Sequence, residues 1–390
     1  MDIQRLILWL VFSFSSVMLW QAWEREHNPP VPVSATQSPA HALGQAAAPA
    51  GGGSATGAGA VPSGPATAAS ATAAGGVPTT GAAVPAGRTV EIHTDLYTAD
   101  IDTVGGIITR MGLAKHRDAE DKSKPYYVLL HNADRTFVAQ AGLIGDGLPN
   151  HRTPYEVLPG PRSLPEGADH FDLKLQASAP NGDKVVQTLT FHRGSYVIDV
   201  AFDVTNAGTA PIKPEAYFQL MRDTKQEGVV SRMGPKPYVG PVVYDDKDKY
   251  KKIDFAEIDK DAADPSRKPP YTQTTDNGWV GMVEHYFVVA WLPPETPKIE
   301  RRYYTTRLDN GLYTAGVRYP EGTIAPGATG VIRASLYAGP QDQEALSKLA
   351  PGLNLVVDYG IFTIIAEPLF LLLKFLHKLI GNWGFAIIVM

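Results

Sequence analysis

The sequence of 390 residues contains no cysteine and no excess of basic residues. Without cysteine, neither a disulfide framework nor a thiolate metal site can form within it, so a folded domain must be stabilised by core packing. A net charge of −5 and an isoelectric point near 6.1 differ from the basic character of proteins that bind a phosphate backbone. Nucleic acid is therefore not an expected partner.

The motifs that carry common enzyme chemistry are also missing. There is no G-x-S-x-G nucleophile turn, no glycine-rich phosphate loop and no H-E-x-x-H zinc motif. His192 and Glu284 could meet across a sheet as acid and base on a sugar ring, although such residues are more often ordinary surface positions. The sequence predicts no catalytic residue, no cofactor, no metal site and a protein that is not an enzyme.

Asp, Glu, Lys and Arg are absent from residues 29–87, which consist chiefly of Ala, Gly, Pro, Ser and Thr. Such a segment cannot bury enough apolar surface to offset its ordering entropy, and its prolines interrupt every candidate helix. Residues 24–88 are therefore predicted to be a disordered linker. As a random coil it would span about 40–45 Å.

An apolar run precedes this linker. Residues 6–20, LILWLVFSFSSVMLW, include only three serines as polar residues. With its flanks the run approaches the roughly 20 residues that a membrane-spanning helix needs. Trp20 and Trp23 suit an interfacial position, and no small-x-small cleavage site directly follows the run. A transmembrane anchor over residues 1–23 is favoured over a cleaved signal peptide.

Residues 89–340 show a hydrophobic period of two, which is typical of half-buried strands. Within residues 196–206, Ile198, Val200, Phe202 and Val204 alternate with a second, more polar set. Comparable runs occupy residues 90–102, 171–177, 184–192, 280–291, 300–308 and 331–338. Asp309-Asn310-Gly311 is a hairpin turn signal. The predicted fold class is mainly β, a large antiparallel β-sandwich.

Residues 238–267 depart from this pattern with a dense mixture of Lys, Asp and Glu. Mixed charge is typical of a solvated loop or of the exposed face of an edge strand, and the alternative is a surface that docks a partner. The candidate partner-contact residues are Tyr238, Lys247, Lys249, Lys251 and Lys252.

Residues 341–381 are predicted to form a helical connector and an amphipathic helix. On a helical wheel, Thr363, Glu367, Lys374, His377 and Lys378 form a polar stripe about 100° wide opposite a broad apolar face. This helix is predicted to lie along the membrane interface, with Pro368 bending it or separating two shorter helices. The alternative is a buried helix of the soluble domain.

Residues 382–390 are interpreted as the start of a second transmembrane helix. They end in FAIIVM, six apolar residues that are too few to cross a bilayer, so a longer multi-span protein is expected. The candidate membrane-interface residues are Trp20, Trp23, Lys374, Lys378 and Trp383.

Three blocks resemble the YidC family of membrane protein insertases of Gram-negative bacteria. They are MDIQRLILWL with WQAWE near the N-terminus, GWVGMVEHYFVVAWLP at residues 278–293, and VDYGIFTIIAEPLFLLLKFLHKLIGNWGFAII at residues 357–388. The resemblance implies a multi-pass protein of the inner membrane, with residues from about 24 to 360 in the periplasm. It also implies a supersandwich shaped like sugar-binding and mutarotase folds. The essential arginine of the family's groove would lie beyond Met390.

The resemblance further implies a function in inserting and folding nascent membrane proteins, alone or with the Sec translocon. Accessory subunits of that translocon would contact the region of residues 238–293, and the lipid bilayer would be a further partner. The rival interpretation is a membrane-tethered periplasmic domain that binds or epimerises carbohydrate.

Overall fold

The computed structural model describes residues 76–77, 87–118, 121–225, 238–264, 271–357 and 363–390. The predicted anchor and most of the predicted linker lie outside these residues, and so do Trp20 and Trp23.

β-strands dominate the described part of the chain. The first nine are β1 (Thr89–His93), β2 (Tyr97–Asp102), β3 (Ile107–Arg117), β4 (Pro125–His131), β5 (Thr136–Ile144), β6 (Glu156–Val157), β7 (His170–Ser178), β8 (Lys184–His192) and β9 (Val197–Thr205). The next nine are β10 (Glu215–Arg222), β11 (Gly240–Asp245), β12 (Lys249–Lys252), β13 (Thr272–Thr275), β14 (Trp279–Glu284), β15 (Phe287–Leu292), β16 (Arg301–Arg307), β17 (Tyr313–Pro320) and β18 (Thr329–Pro340).

These strands form two antiparallel sheets of nine strands each, which confirms the predicted mainly β fold. The order in the first sheet is β1-β2-β3-β4-β5-β10-β17-β16-β13, and the order in the second is β12-β11-β14-β15-β18-β9-β8-β7-β6. Since β12 pairs only with β11, it is an edge strand of the second sheet.

The main hydrophobic core lies between the two sheets. Along β9 the predicted alternation holds, since Ile198, Val200, Phe202 and Val204 are all buried. Across the interface the ring of Phe218 on β10 lies 5.1 Å from that of Trp291 on β15. The period-two pattern therefore reports burial between two facing sheets.

Two predicted single strands are hairpins instead. Residues 280–291 form β14 and β15, joined at Tyr286, which adopts a positive φ of 73°. Every residue of both strands is buried, so no polar alternation marks the turn. Residues 90–102 likewise divide into β1 and β2.

The charged segment after residue 238 is more ordered than a solvated loop. It forms β11, β12 and a helix, α1 (Phe255–Ala263), whereas the pattern of residues 89–340 predicted strands and no helix. Helix α1 buries only Ile258, which is too little apolar surface for a helical period to stand out. The interpretation of these charges as the exposed face of an edge strand is confirmed for β12.

The helices of the C-terminal part follow β18. They are α2 (Gln343–Leu349), a 3-10 turn (Leu353–Val356), α3 (Thr363–Ile380) and α4 (Trp383–Val389). Helix α3 continues through Pro368 rather than dividing into two helices. Within the described ranges, none of the helices combines the length and apolar character needed to cross a bilayer.

Candidate membrane-interface and partner-contact sites

Helix α3 exposes large apolar side chains along one side. Leu371, Leu372, Phe375 and Leu379 lie within about 100° of one another on the helical wheel, and we call them the apolar face. Phe375 is 63% and Leu379 77% exposed. The alternative of a helix buried in the soluble domain is therefore wrong for this stretch. Exposed apolar area of this kind marks a site of contact with lipid or protein.

The polar side of α3 lies next to α4. The ring of His377 stacks on Trp383 at 3.8 Å between centroids, and Lys374 lies 5.5 Å from the ring of Phe370. Asn382 caps α4, since its side chain accepts a hydrogen bond from the backbone N–H of Gly384 at 2.8 Å. Gly381 takes a left-handed φ of 74°, which ends α3 before Asn382 begins the cap of α4. The side chains of Thr363 and Glu367 lie outside the described part.

A second apolar cluster fixes the segment that leads to α3. This segment, residues 343–356, contains α2 and the 3-10 turn, and we call it the connector. Its Leu346, Leu353 and Val356 pack on the outer face of the second sheet, against side chains that include Trp279 and Val288. The sheet is therefore covered on both faces here, which explains why β14 and β15 are apolar except for Glu284 at the end of β14.

Two contacts hold the end of the connector. The indole Nε1 of Trp279 donates a hydrogen bond to the carbonyl of Pro351 at 2.9 Å. Gly352 adopts a φ of 70°, and a Cβ atom at this position would lie 2.3 Å from the ring of Tyr244. Tyr244 in turn stacks on Trp279, with 6.1 Å between ring centroids. The connector is thus held beside Tyr244 and Trp279 at Pro351 and Gly352, and the 3-10 turn that follows carries the chain at most about 10 Å further, to Val357.

The predicted partner-contact lysines lie on β12 and on the turn that joins it to β11. We call residues 240–252, which comprise both strands, the lysine hairpin. Lys247, Lys249, Lys251 and Lys252 are all exposed. Lysine on an edge strand also discourages edge-to-edge aggregation, so exposure by itself does not establish a partner.

Tyr238 is placed differently from these lysines. Its hydroxyl donates toward the carbonyls of Pro241 and Ile253 at 2.6 and 2.8 Å, and it accepts from the N–H of Ile253 at 3.0 Å. Burial raises the pKa of Tyr238 far above its ordinary value. Its ring lies under Lys252, with Nζ 5.2 Å from the centroid. Tyr238 therefore fixes the base of the lysine hairpin, and contact of this region with translocon subunits stays a prediction.

A buried ionic cluster joins the two sheets, and sequence reasoning missed it. Glu284, at the end of β14, receives hydrogen bonds from Nη2 of Arg135 at 2.7 and 2.9 Å and from the hydroxyl of Tyr126 at 3.1 Å. Nη1 of Arg222, at the end of β10, lies 2.9 Å from Glu284 Oε1. Arg222 is completely buried, and its guanidinium carbon also lies 4.9 Å from the ring centre of Phe137.

The proposed acid and base pair of a sugar-modifying site does not form. His192 is at the end of β8, four strands from β14 in the second sheet, a separation of about 19 Å. Its Nε2 is 2.8 Å from Asp199, while the carboxylate of Glu284 is held by two arginines. Both side chains have structural partners in place of each other.

His151 and Tyr217 form a polar pair on the outer side of the first sheet, in which Tyr217 is fully buried and His151 is partly buried. The backbone N–H of His151 donates to the hydroxyl of Tyr217 at 3.0 Å, and the ring Nδ1 is also within hydrogen-bond distance of that hydroxyl. Burial, assisted by the charge of Arg152, lowers the pKa of His151 to about 4. The neutral imidazole accepts the Tyr217 proton, so the pair is satisfied only while His151 is uncharged.

This pair predicts a pH dependence of stability. Because the folded pKa of His151 is about 4 and the unfolded one is about 6.5, its contribution is complete above pH 6.5 and is lost as the pH falls toward 4. Between pH 7.5 and pH 5 the wild-type protein loses free energy of unfolding through this pair. We expect His151→Gln to lose about 2 kcal/mol less than the wild type over the same range. Urea unfolding followed by tryptophan fluorescence at both pH values measures this difference. Equal losses in the two proteins would contradict the assignment.

The family of the chain follows from comparison with known proteins. A family model described as the YidC periplasmic domain matches residues 89–372, which include the sandwich, the connector and the first half of α3. The chain belongs to the YidC family of membrane protein insertases.

Relatives in the YidC family match over the whole chain. The membrane protein insertase YidC of Nitrosospira multiformis is 41% identical over 396 residues, covering 100% of this chain and 67% of that protein. That of Cupriavidus necator is 43% identical over 392 residues, with the same two coverages. The chain thus spans about two thirds of the length of these YidC relatives.

Solved structures give a more distant likeness for this YidC family chain. A galactose mutarotase-like protein from Lactobacillus casei is 11% identical, covers 64% of this chain and 100% of its own, and has a TM-score of 0.40. A putative aldose 1-epimerase from Escherichia coli is 11% identical over 65% of this chain and 99% of its own, with a TM-score of 0.36. Similarity at this level says nothing about activity.

Of the predicted site residues in this YidC family chain, Lys374, Lys378 and Trp383 lie on α3 and α4, and the four lysines lie on the lysine hairpin. The sequence predicted a helical connector, and the structure adds that this connector docks on the outer face of the second sheet. Its available signals were Trp279 and Gly352, the second of which stands in a Pro-Gly turn typical of a break between helices.

Proposed function

We propose that this chain is the anchor, periplasmic sandwich and interface helix of a membrane protein insertase. The whole protein would assist the insertion and folding of nascent membrane proteins in the inner membrane, alone or with the Sec translocon. Residues 1–23 would anchor the chain, residues 24–88 would link the anchor to the sandwich, and residues from 382 would begin the next span. The observation that carries the proposal is the exposed apolar face of α3, which begins within the last residues of the family's periplasmic domain and continues beyond residue 372.

The physical task of such a protein is to lower the barrier for polar segments that cross the bilayer. Each unsatisfied or charged group costs several kcal/mol in the hydrocarbon region. A membrane core that offers polar partners reduces this barrier, provided that it sits at a fixed height in the bilayer. A helix lying in the interface, with its apolar face in the acyl chains, would set that height. Lys374 and Lys378 would then meet lipid phosphates.

The apolar face gives the test of this proposal. Full burial of a Leu or Phe side chain stabilises by about 1.5–3 kcal/mol, so Phe375→Asp combined with Leu379→Asp removes about 3–6 kcal/mol of membrane attachment. We expect the whole protein carrying both substitutions to accumulate normally but to fail to support growth of a strain depleted of its own insertase.

Tyr286→Asp is the matched control. It also replaces an exposed aromatic residue by aspartate, at a position that is 67% exposed on the β14–β15 turn of the sandwich. This variant should support growth. Normal growth of the α3 double variant would refute the proposed role of the helix.

A further inference from the structure

Strand β14 runs between two ends of the sandwich, and different features of the chain lie at each end. At its first residue, Trp279 holds the connector at Pro351, and the chain leaves toward α3 at Val357, within about 10 Å of Gly352. Tyr244, which pairs with Trp279, is followed directly by the turn of the lysine hairpin. At the other end of β14, about 20 Å away, is the turn at His285 and Tyr286. The lysine hairpin therefore lies at the same end of the sandwich as the exit of the chain.

The turn of the lysine hairpin is held in one conformation. The buried carboxylate of Asp245 accepts hydrogen bonds from the backbone N–H groups of Lys247 at 2.7 Å and Asp248 at 2.6 Å, and from the hydroxyl of Tyr271. The side-chain oxygen of Asn277 accepts from the N–H of Asp246 at 2.9 Å. These hydrogen bonds tie the turn to the end of β11 and to the residues before β14.

The exposed charge of the lysine hairpin is positive. Its four lysines are exposed together with Asp246 and Asp248, whereas Asp245 is buried and satisfied within the turn. Lys249 has a φ of 58°, a left-handed conformation that glycine or asparagine would adopt with less strain. Its Nζ is 3.7 Å from Asp246, a loose and exposed pair. The turn thus keeps a cationic side chain at a position where backbone geometry disfavours it.

The chain length limits how far the hairpin can lie from α3. Val357 is the last described residue of the exit, and α3 begins at Thr363. Six residues span at most about 21 Å. A sandwich attached so closely to a helix that lies in the interface must keep its exit end near the bilayer surface.

We propose that the lysine hairpin contacts the phosphate groups of anionic lipids on the membrane surface that holds α3. This inference rests on the proposed function, because it takes α3 as the helix that lies in the interface. It orients the sandwich, with the Trp279 end of β14 toward the bilayer and the Tyr286 turn away from it. An acidic protein partner could use the same lysines, but the position of the exit favours lipid.

The absence of cysteine from this chain allows a direct test. Single variants Lys247→Cys, His285→Cys and Leu379→Cys are labelled with a fluorophore in the full chain. Each is reconstituted into vesicles of phosphatidylethanolamine with or without phosphatidylglycerol, and quenching by a nitroxide on the lipid headgroup is measured. The label at 247 should be quenched about twofold or more above that at 285, since β14 separates them by about 20 Å. The difference should require phosphatidylglycerol and decrease at high salt.

The outcomes separate this inference from the proposed function. Equal quenching of the labels at 247 and 285 would overturn lipid recognition by the hairpin. Quenching at 247 that does not depend on phosphatidylglycerol would do the same. Both conclusions hold even where the label at 379 is quenched. An unquenched label at 379 refutes the interface helix itself. If the fluorescence of the label at 247 changes only when translocon subunits are added, the lysines contact a protein partner and the inference is overturned. As a second measurement, Lys247→Glu with Lys251→Glu should abolish quenching of a label at Asp248→Cys, an exposed position whose backbone N–H rather than its side chain bonds to Asp245. Lys247→Arg with Lys251→Arg should preserve this quenching.

Discussion

Replacing Glu284 by alanine is expected to lower the free energy of unfolding by about 3–5 kcal/mol, because it leaves two buried arginines without their shared carboxylate. Arg222 has no solvent exposure, and Arg135 and Glu284 are each 5% exposed. Neither guanidinium can recover its lost partner from water without opening the sandwich. Urea unfolding of the variant measures the loss.

The matched control is another glutamate in an ion pair. Glu344 on α2 lies 3.1 Å from Lys348, and both side chains are mostly exposed. Since an exposed pair of this kind contributes little, Glu344→Ala should lower stability by at most about 0.5 kcal/mol. A similar small loss for Glu284→Ala would show that water reaches the cluster.

A double variant separates the ionic contribution from the packing contribution. Glu284→Ala combined with Arg222→Ala removes one charge of each sign, so the loss should be clearly smaller than the sum of the two single losses. Additive losses would mean that Arg222 and Glu284 are not coupled. This cluster joins β10 of one sheet to β14 of the other, so coupling would also show that it fixes how the sheets meet.

The second large effect is expected at the connector. Gly352→Ala should destabilise docking of the connector by about 2–4 kcal/mol, from left-handed backbone strain and from overlap with the ring of Tyr244. Amide hydrogen exchange over residues 343–356 should then become faster, while β8 and β9 remain protected. Insertase complementation should fall as well, because the chain would no longer leave the sandwich from a fixed point.

Gly327→Ala provides the control for strain alone. Gly327 has a φ of 76°, close to that of Gly352, but a Cβ atom there would have no neighbour within 4 Å. Its cost should be about 1–2 kcal/mol, without faster exchange in the connector. Equal behaviour of the two variants would show that contact with Tyr244 does not hold the connector in place.

The epimerase part of the rival interpretation depended on a pair of residues that the fold separates. Adjacent residues of a strand face opposite sides of the sheet. The sequence alone does not say which strands are neighbours in that sheet. The strand order puts four strand spacings between His192 and Glu284 and gives each a different ionic partner. The family match over residues 89–372 supports the insertase interpretation in its place.

Local sequence patterns predicted the secondary structure correctly wherever one face of an element is buried and the other is exposed to solvent. The alternation along β9 and the turn at Asp309-Asn310-Gly311 predicted the strand and the β16–β17 hairpin, since each signal is contained within a few residues. The pattern failed at β14 and β15, where both faces are buried and the turn carries Tyr286 in place of glycine. It failed also at α1, where only one residue is buried.

The sequence by itself determined that this protein is mainly β, that residues 29–87 lack charge, and that α3 has one apolar side, because composition and periodicity act over short distances. Only the tertiary structure decided that this side is left uncovered by the sandwich and that the connector docks on the second sheet. It alone brought Arg135 and Glu284, 149 positions apart in the chain, into one buried ion pair. Pairings of that kind depend on strand order and register, which no local signal encodes.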